Sequence, residues 1–426
     1  MVKGSHSKGK PKQPPVLRWA LAGMGVFAAG VVTAMYLPGG AAPAISASSP
    51  TPLLDVGTVA RESTPAPRSV DQVSATPVVS SSNVPSEVSS PSVPPDTRIT
   101  IMGVGDILVH KEIWAEAQQD ANYDGSDFTQ MLAGVAPRIS AADLGVCHME
   151  YPFAPPEGPV SYWPALPAAP WSLATGVAKT GFDTCSTVSN HIQDKGLNGI
   201  TQLLDALDMN GIAHAGSARS EEESQVITML NVKGVTIAHL AYSWGLYDNG
   251  DSWSVNRNDA DRIIADAQRA REEGAKIVIV SLHDGEENIA QPDESQLSIT
   301  QALADAGTVD LVLGHHTHCV QPVEKIGDMW VAFGHGNLLT AQSRKKPRTT
   351  DGLITQWTFQ ADSSGRWRVV DAAGIPIFNE DYPFRLIDLS ALGGVRNQTE
   401  EDSWERTMAA VMSMGADKDG FHLLSS

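Results

Sequence analysis

Five apolar runs in this chain end on residues that can bind a metal ion or move a proton. The run 98–104 gives way to Gly105-Asp106, 142–147 to His148 and Glu150, 182–188 to Asn190-His191, 276–282 to His283-Asp284, and 309–313 to Gly314-His315-His316-Thr317-His318. Taken singly, most of these have plain explanations: a strand-end aspartate commonly caps the next helix, and Asn190-His191 could open a turn. The GHHTH run is different. Three imidazoles within four residues repel one another once protonated, and are rarely gathered without a metal or a proton to hold. Imidazole mixed with carboxylate and amide oxygens suits borderline cations such as zinc, manganese or iron. Two such ions about 4 Å apart would clamp the attacking and leaving oxygens of a phosphoryl displacement and acidify water, and a nearby histidine could protonate the leaving group.

Side chains scattered this far along a chain meet only if strands bring their ends together, and in layered α/β proteins the carboxyl ends of strands are where loops converge. Helical stretches lie between the runs. Residues 198–210 put Ile200, Leu203, Leu204 and Leu207 on one face and stop before Gly211; residues 258–273 group Ile263, Ile264, Ala267 and Ala270 and stop before Gly274. A third helix starts after Pro292, with Asp293 as N-cap and Gln296 three residues on, and stops at Gly307. Beyond Gly314 only strand-like runs appear (329–333, 353–360, 367–371 and 374–378), predicting a second, mostly antiparallel sheet followed by a helix near residues 400–414. The fold class expected is α/β, with two sheets face to face and helices outside.

The ends of the chain are different in kind. Residues 1–18 carry Lys3, Lys8, Lys10, Lys12 and Arg18 and no acid, and residues 19–37 have no charge at all. Nineteen residues as a helix span about 28 Å, enough for a bilayer core, and the basic flank predicts the N-terminus inside and the rest exported. A cleaved signal, with small residues Ala41, Ala42 and Ala44 at the cleavage site, is the alternative. Residues 38–96, rich in Pro, Ser, Ala, Val and Thr and nearly free of aromatics, read as a disordered stalk. Setting aside the five basic residues of the tail, the net charge of −19 becomes −24 for the remainder, which argues against nucleic acid as a partner. Three cysteines, Cys147, Cys185 and Cys319, are too few for a disulfide-built fold; one bridge plus a free thiol and three buried thiols are both open. In this acidic background Arg344, Lys345, Lys346 and Arg348 form a basic run that could steer an anion, or could be a solvated loop. Trp163, Trp171, Trp244 and Trp253 could wall a groove, although covering a core is the commoner use of Trp.

The order GD, Glu-x-Pro, NH with a following Gly, His, GHHxH, QPVE and GN resembles that of the CapA family of poly-γ-glutamate capsule-synthesis proteins, a branch of the calcineurin-like metallophosphatase fold. Here these are Gly105-Asp106, Glu150-Tyr151-Pro152, Asn190-His191 with Gly196, His283, His315–His318, Gln321–Glu324 and Gly336-Asn337, within residues 99–359. The stretch Gly211–Ser224 is similar to the family's as well. The resemblance implies one or two divalent ions (Mn, Zn or Fe) held by Asp106, Glu150, Asn190, His283 and one or two of the GHHTH histidines, with the usual GHxH ending favouring His316 and His318. It implies catalytic roles for Asp106 and for His191, at the position of the acid, and substrate contacts from Asn337 and the basic run. The usual first motif is Asp-x-His; Leu108 takes the His position here, with His110 two residues further on. The resulting expectation is a folded domain at 97–385, a C-terminal extension at 386–426, and a membrane-anchored protein serving synthesis, export or anchoring of an anionic envelope polymer, with other capsule-synthesis membrane subunits as partners. A phosphoesterase acting on an envelope phosphoester and an inactive scaffold are the alternatives.

Overall fold

The structure is a computed structural model of the 426-residue chain and describes residues 94, 96–162, 164–246, 252–342 and 345–424, with the backbone of 71–72. These all belong to the second of the chain's two units, Pro65–Ser426. The expected anchor and nearly all of the stalk lie outside the described residues, as do Trp163 and Arg344. Among the described residues no helix is long and apolar enough to cross a membrane.

Sixteen strands are described: β1 (Asp71–Gln72), β2 (Arg98–Ile107), β3 (Leu144–Met149), β4 (Thr184–Ser186), β5 (Ala213–Ala215), β6 (Thr228–Val232), β7 (Val235–Ser243), β8 (Ile277–His283), β9 (Leu311–His315), β10 (Val323–Ile326), β11 (Met329–Ala332), β12 (Asn337–Leu339), β13 (Asp351–Ala361), β14 (Trp367–Glu380), β15 (Arg385–Asp388) and β16 (Phe421–Leu423). Sheet A runs β1-β6-β7-β8-β9-β11-β10; sheet B runs β15-β14-β13-β2-β3-β4-β5, with β12 beside β2 and β16 beside β14. Sheet A has a parallel centre (β7, β8, β9 and β11) with antiparallel margins, whereas in sheet B the parallel strands β2 to β5 run to one edge and the antiparallel strands β13 to β15 make the other.

The expected second, mostly antiparallel sheet is therefore corrected. Strand β11 joins sheet A parallel to β9, while β13 and β14 extend the parallel strands of sheet B through the antiparallel pair β13/β2. Apolar runs mark strands, but the choice of partner is a tertiary matter that the runs do not carry. The runs 367–371 and 374–378 are one strand, β14.

Strand alternation gives each sheet two apolar faces. Ile99 and Ile101 of β2, with Leu144 and Val146 of β3, meet Ile237, Ile277, Ile279, Leu311 and Leu313 of sheet A, closed by Trp330, Trp357 and Phe359. Burial of each such side chain is worth about 1.5–3 kcal/mol, so this layer holds the sheets face to face. Outside sheet A, helix Ala260–Glu272 sets Ile263, Ala267 and Ala270 against Val278 and Val280. Outside sheet B, helix Gly196–Met209 sets Leu203, Leu204 and Leu207 into a cluster with Met102 and Cys147. Helix Glu294–Ala306 begins as its sequence predicts: Asp293 accepts from the Gln296 N–H at 2.9 Å, the Gln296 side chain accepts from the Asp293 N–H at 3.1 Å, and Gly307 closes it at φ 66°. Helices Lys111–Asp120, Thr129–Leu132, Ala136–Ala141 and Ser172–Thr180 went unmarked in the sequence; none has a side-chain cap to announce it.

Of the two readings of the cysteines, the structure takes the bridge. Cys147 and Cys185 are opposite one another on β3 and β4 and are disulfide-bonded, and Cys319 is a buried thiol. Residues 386–426, read as an extension, return to sheet B: β15 and β16 both hydrogen-bond to β14, and helix Gln398–Val411 ties Ser403 and Arg406 to Asp351 at 2.6 Å and 2.8 Å.

Candidate metal centre

Register assembles the centre. On neighbouring parallel strands Asp106 of β2 lies opposite His148 of β3, and His283 of β8 lies opposite His315 of β9. Residues in register on parallel neighbours project to the same face, so each pair presents two ligand-type side chains side by side. One pair belongs to each sheet, and they meet across the sandwich: His148 stacks on His315 with ring centroids 4.1 Å apart and lies 5.0 Å from His283. The glycine preceding a ligand is a packing requirement. A Cβ on Gly105 would sit 2.0 Å from the Gly336 carbonyl oxygen, and one on Gly314 would sit 1.9 Å from that of Phe333.

Asp106 is the hub. Its Oδ1 lies 3.4 Å from His315 Nδ1 and 3.9 Å from His148 Nε2; its Oδ2 lies 3.2 Å from His318 Nδ1 and accepts the His316 backbone N–H at 3.1 Å. Glu150 Oε1 is 3.6 Å from His318 Nε2. Two groups share this aspartate, Asp106-His148-His315 and Asp106-Glu150-His318, with ligand atoms in each within 4.8 Å of one another. The three histidines of the GHHTH run diverge because His316 and His318 adopt φ of 86° and 52°, left-handed values that cost a non-glycine residue of order 1–3 kcal/mol. His315 thus faces Asp106 and His148, His316 lies between Trp244 (5.3 Å) and His283 (4.7 Å), and His318 faces Asp106 and Glu150.

Whether a cation suits these residues can be judged from what they lack. Asp106 Oδ1, His148 Nδ1, Glu150 Oε2, both ring nitrogens of His315 and Nδ1 of His316 are buried without a hydrogen bond among the described residues. Each such atom costs about 1–3 kcal/mol, and their gathering at one point is an arrangement that a cation would satisfy. The electrostatics agree. Burial raises Glu150, with Asp106 adding to that and His318 opposing it, to about 8. Burial lowers His318, but the Glu150 and Asp106 carboxylates outweigh it and push it up to about 9. The pair holds protons near neutrality where the surroundings demand positive charge, and a divalent cation would meet that demand by displacing them. Burial also raises Asp106, yet the neighbouring imidazoles of His315 and His318 and the charge of His148 hold it well below its usual range, as an anion. Burial keeps His148 and His283 neutral, the form in which imidazole binds a metal.

Of the residues expected from sequence, Asp106, Glu150 and His318 fall in these groups. Asn190 and His283 stand beside them: Asn190 Oδ1 is 3.0 Å from His283 Nε2, and His283 Nδ1 is 3.0 Å from His148 Nε2. His316 offers its backbone N–H to Asp106, with its ring turned to Trp244 and pushed down to about 4, chiefly by burial. His148, which the motif comparison passed over, and His315, which it placed behind His316 and His318, join the groups; the signal that could have found them is register, since both stand opposite another ligand-type residue. Leu108, in place of the usual first-motif histidine, is a core side chain, and His110 accepts the Ala341 N–H at 3.2 Å. An imidazole reaches Asp106 from His148 on the next strand instead.

His191 lies next to Asn190 and is only partly buried, with Nδ1 2.8 Å from Asp194 Oδ2 and its ring edge-on to Tyr151. Burial lowers it, but the bond to Asp194 prevails and raises it, keeping a proton available. Asn337 Oδ1 is 3.0 Å from His318 Nδ1, and its Nδ2 donates to the Thr349 carbonyl at 2.9 Å, linking the centre to the loop that exposes Lys345, Lys346 and Arg348. Trp171 packs against the core and Trp253 lines a separate cavity with Arg219 and Asp208, so of the four tryptophans only Trp244 touches these histidines among the described residues.

Comparison with known proteins gives this geometry a family. The family model described as bacterial capsule synthesis protein PGA_cap matches residues 100–342. The PGA biosynthesis protein CapA of Bacillus subtilis is 26% identical over 195 residues, 44% of this chain and 50% of that protein. A probable polyglutamine synthesis accessory protein of Mycobacterium tuberculosis is 28% identical over 170 residues, 36% of this chain and 44% of that one. The chain thus spans about half the length of these curated relatives. Among solved structures, a calcineurin-like phosphoesterase of Bacillus subtilis overlays with a TM-score of 0.40 at 14% identity, over 73% of this chain and 96% of that one, too loosely to speak for shared chemistry. The family match covers more than half of the chain and contains every ligand-type residue of the centre, and the chain belongs to the bacterial capsule synthesis PGA_cap family.

Proposed function

We propose that this chain is an exported, membrane-tethered protein of anionic capsule or envelope polymer metabolism whose strand-end centre holds two divalent cations and hydrolyses a phosphoester. The observation that carries the reading is the set of buried, unbonded ligand atoms on Asp106, His148, Glu150 and His315. Asp106, His148 and His315 would hold one ion and Asp106, Glu150 and His318 the other, with Asp106 common to both; zinc, manganese and iron suit this mixture of imidazole and carboxylate. Bound ions would supply Lewis acidity, stabilising negative charge that builds on the phosphoryl group. His191, charged through Asp194, donates a proton to the departing alkoxide, and the exposed Lys345, Lys346 and Arg348 draw the anionic chain toward the mouth.

The polymer reading, with poly-γ-glutamate as the polymer, rests on what the relatives are named for, PGA biosynthesis and polyglutamine synthesis, and on the basic loop. Export and tethering rest on the basic residues 1–18 ahead of the uncharged run 19–37, with 38–96 as a stalk, and are supported by the Cys147–Cys185 disulfide, a bond that persists in oxidising compartments. Other membrane subunits of capsule synthesis are the partners this placement suits. The test is hydrolysis of bis(4-nitrophenyl) phosphate by the purified, Mn²⁺-loaded chain: activity is expected in the parent and lost in Asp106→Ala and His318→Ala, and activity unchanged in both variants contradicts the reading.

A further inference from the structure

We infer that Glu287 is a specificity-determining residue at the mouth of the centre, a negative charge that favours monoanionic phosphodiesters over dianionic phosphomonoesters. The inference rests on the phosphoesterase reading above and narrows its substrate class. Glu287 is exposed, but the loop carrying it is not loose. On one side Gly285, at φ 113°, packs so closely that an added Cβ would lie 2.7 Å from Gln296 Oε1 and 2.8 Å from Thr317 Cγ2. On the other, Asn288 takes a left-handed φ of 65° and donates its N–H to the Thr317 carbonyl at 2.7 Å. Gln321 Nε2 then donates to the Ile289 and Gln291 carbonyls at 3.0 Å and 2.9 Å. Both flanks of Glu287 are thereby clipped to Thr317, the residue between His316 and His318.

From that position its charge is felt by Glu150, Tyr151, His316 and His318 together. Of the loop's other acids, Asp284 is already engaged, accepting from the Gly285 N–H at 2.9 Å and the Ser295 hydroxyl at 2.8 Å, whereas no described ion pair includes Glu287. A solvated loop acid needs neither the clips nor the strained Asn288. A carboxylate fixed beside a site for anions discriminates by charge: each further negative charge on the ligand, several ångströms away in partly screened surroundings, costs about a factor of ten in affinity. The exposed Lys345, Lys346 and Arg348 attract a polyanion at long range, and Glu287 acts at short range, so internal diester links are favoured over terminal monoesters.

The experiment compares the full-length parent, Glu287→Gln and Glu286→Gln at saturating Mn²⁺ and pH 8. It reads the kcat/KM ratio for bis(4-nitrophenyl) phosphate over 4-nitrophenyl phosphate, and the Kd of inorganic phosphate by calorimetry. Glu287→Gln is expected to shift the ratio about tenfold toward the monoester and to tighten phosphate about tenfold, with Glu286→Gln close to the parent. Ratio and Kd both within twofold of the parent, or the same shift in Glu286→Gln, overturns the inference. If the parent cleaves neither ester, the phosphoesterase reading fails on its own and the phosphate Kd alone decides the role of Glu287.

Discussion

Sheet A treats two of its buried histidines in opposite ways. His239, in the middle of β7, has both ring nitrogens within hydrogen-bond distance of hydroxyls, Thr184 Oγ1 of sheet B at 2.9 Å and Ser281 Oγ of β8 at 3.0 Å. His315, at the end of β9, has both ring nitrogens buried and unbonded. Burial alone is therefore no sign of function: His239 is complete and His315 is not. The difference follows from position along the strand. In the middle, neighbours in the sandwich can supply hydroxyls, while at the carboxyl end the ladder gives out and several incomplete donors point into one space.

The comparison breaks most readily at Asp106. Asp106→Ala should lower the metal content and cost about 4 kcal/mol of transition-state stabilisation, roughly a thousandfold in rate. Metal content equal to that of the parent would mean that Asp106 belongs with His239. The reverse holds for His239→Ala: it should cost about 3 kcal/mol in urea unfolding, through a cavity and two stranded hydroxyls, and leave the metal content alone, whereas His315→Ala should lower the metal content and move metal-free stability by less than about 1 kcal/mol. His191→Ala should retain its metal and slow cleavage of an alkyl phosphodiester about a hundredfold, with much less effect on a 4-nitrophenyl ester, whose leaving group needs no proton. Equal slowing of both esters would remove His191 from proton transfer.

The smallest effect is in pH. Burial lowers His239 from an ordinary 6.5 to about 3, so below pH 6.5 the unfolded chain takes up a proton that the fold refuses. Its contribution to stability is complete above that pH and declines as the pH falls toward 3, by up to about 1.4 kcal/mol per unit. The difference in unfolding free energy between parent and His239→Gln should therefore shrink on acidification; a difference independent of pH would show that burial does not hold the ring neutral.

Much of the centre was legible because strand ends write themselves into sequence. Gly105-Asp106 and Gly314-His315 close apolar runs, and each glycine is there because another backbone passes within van der Waals reach. What sequence does not record is which strands become neighbours. Asp106 opposite His148, and His283 opposite His315, are facts of pairing, so His148 and His315 gained their place only with the register. For the same reason β11 and β13 were assigned to one new sheet when they belong to two. The helix after Asp293 was legible to the residue because its capping box and terminal Gly307 are local chemistry, whereas Ser172–Thr180 has no side-chain cap and is held by burial of Leu173, Ala174 and Val177.

The central claim, that the unbonded atoms around Asp106 are a cation site and not a flaw of packing, is tested most directly by elemental analysis of the full-length protein after equilibration with Mn²⁺ or Zn²⁺ and removal of free ion. The account predicts two ions per chain in the parent and fewer than one in Asp106→Ala. No bound ion in the parent, or equal content in the two proteins, would contradict it.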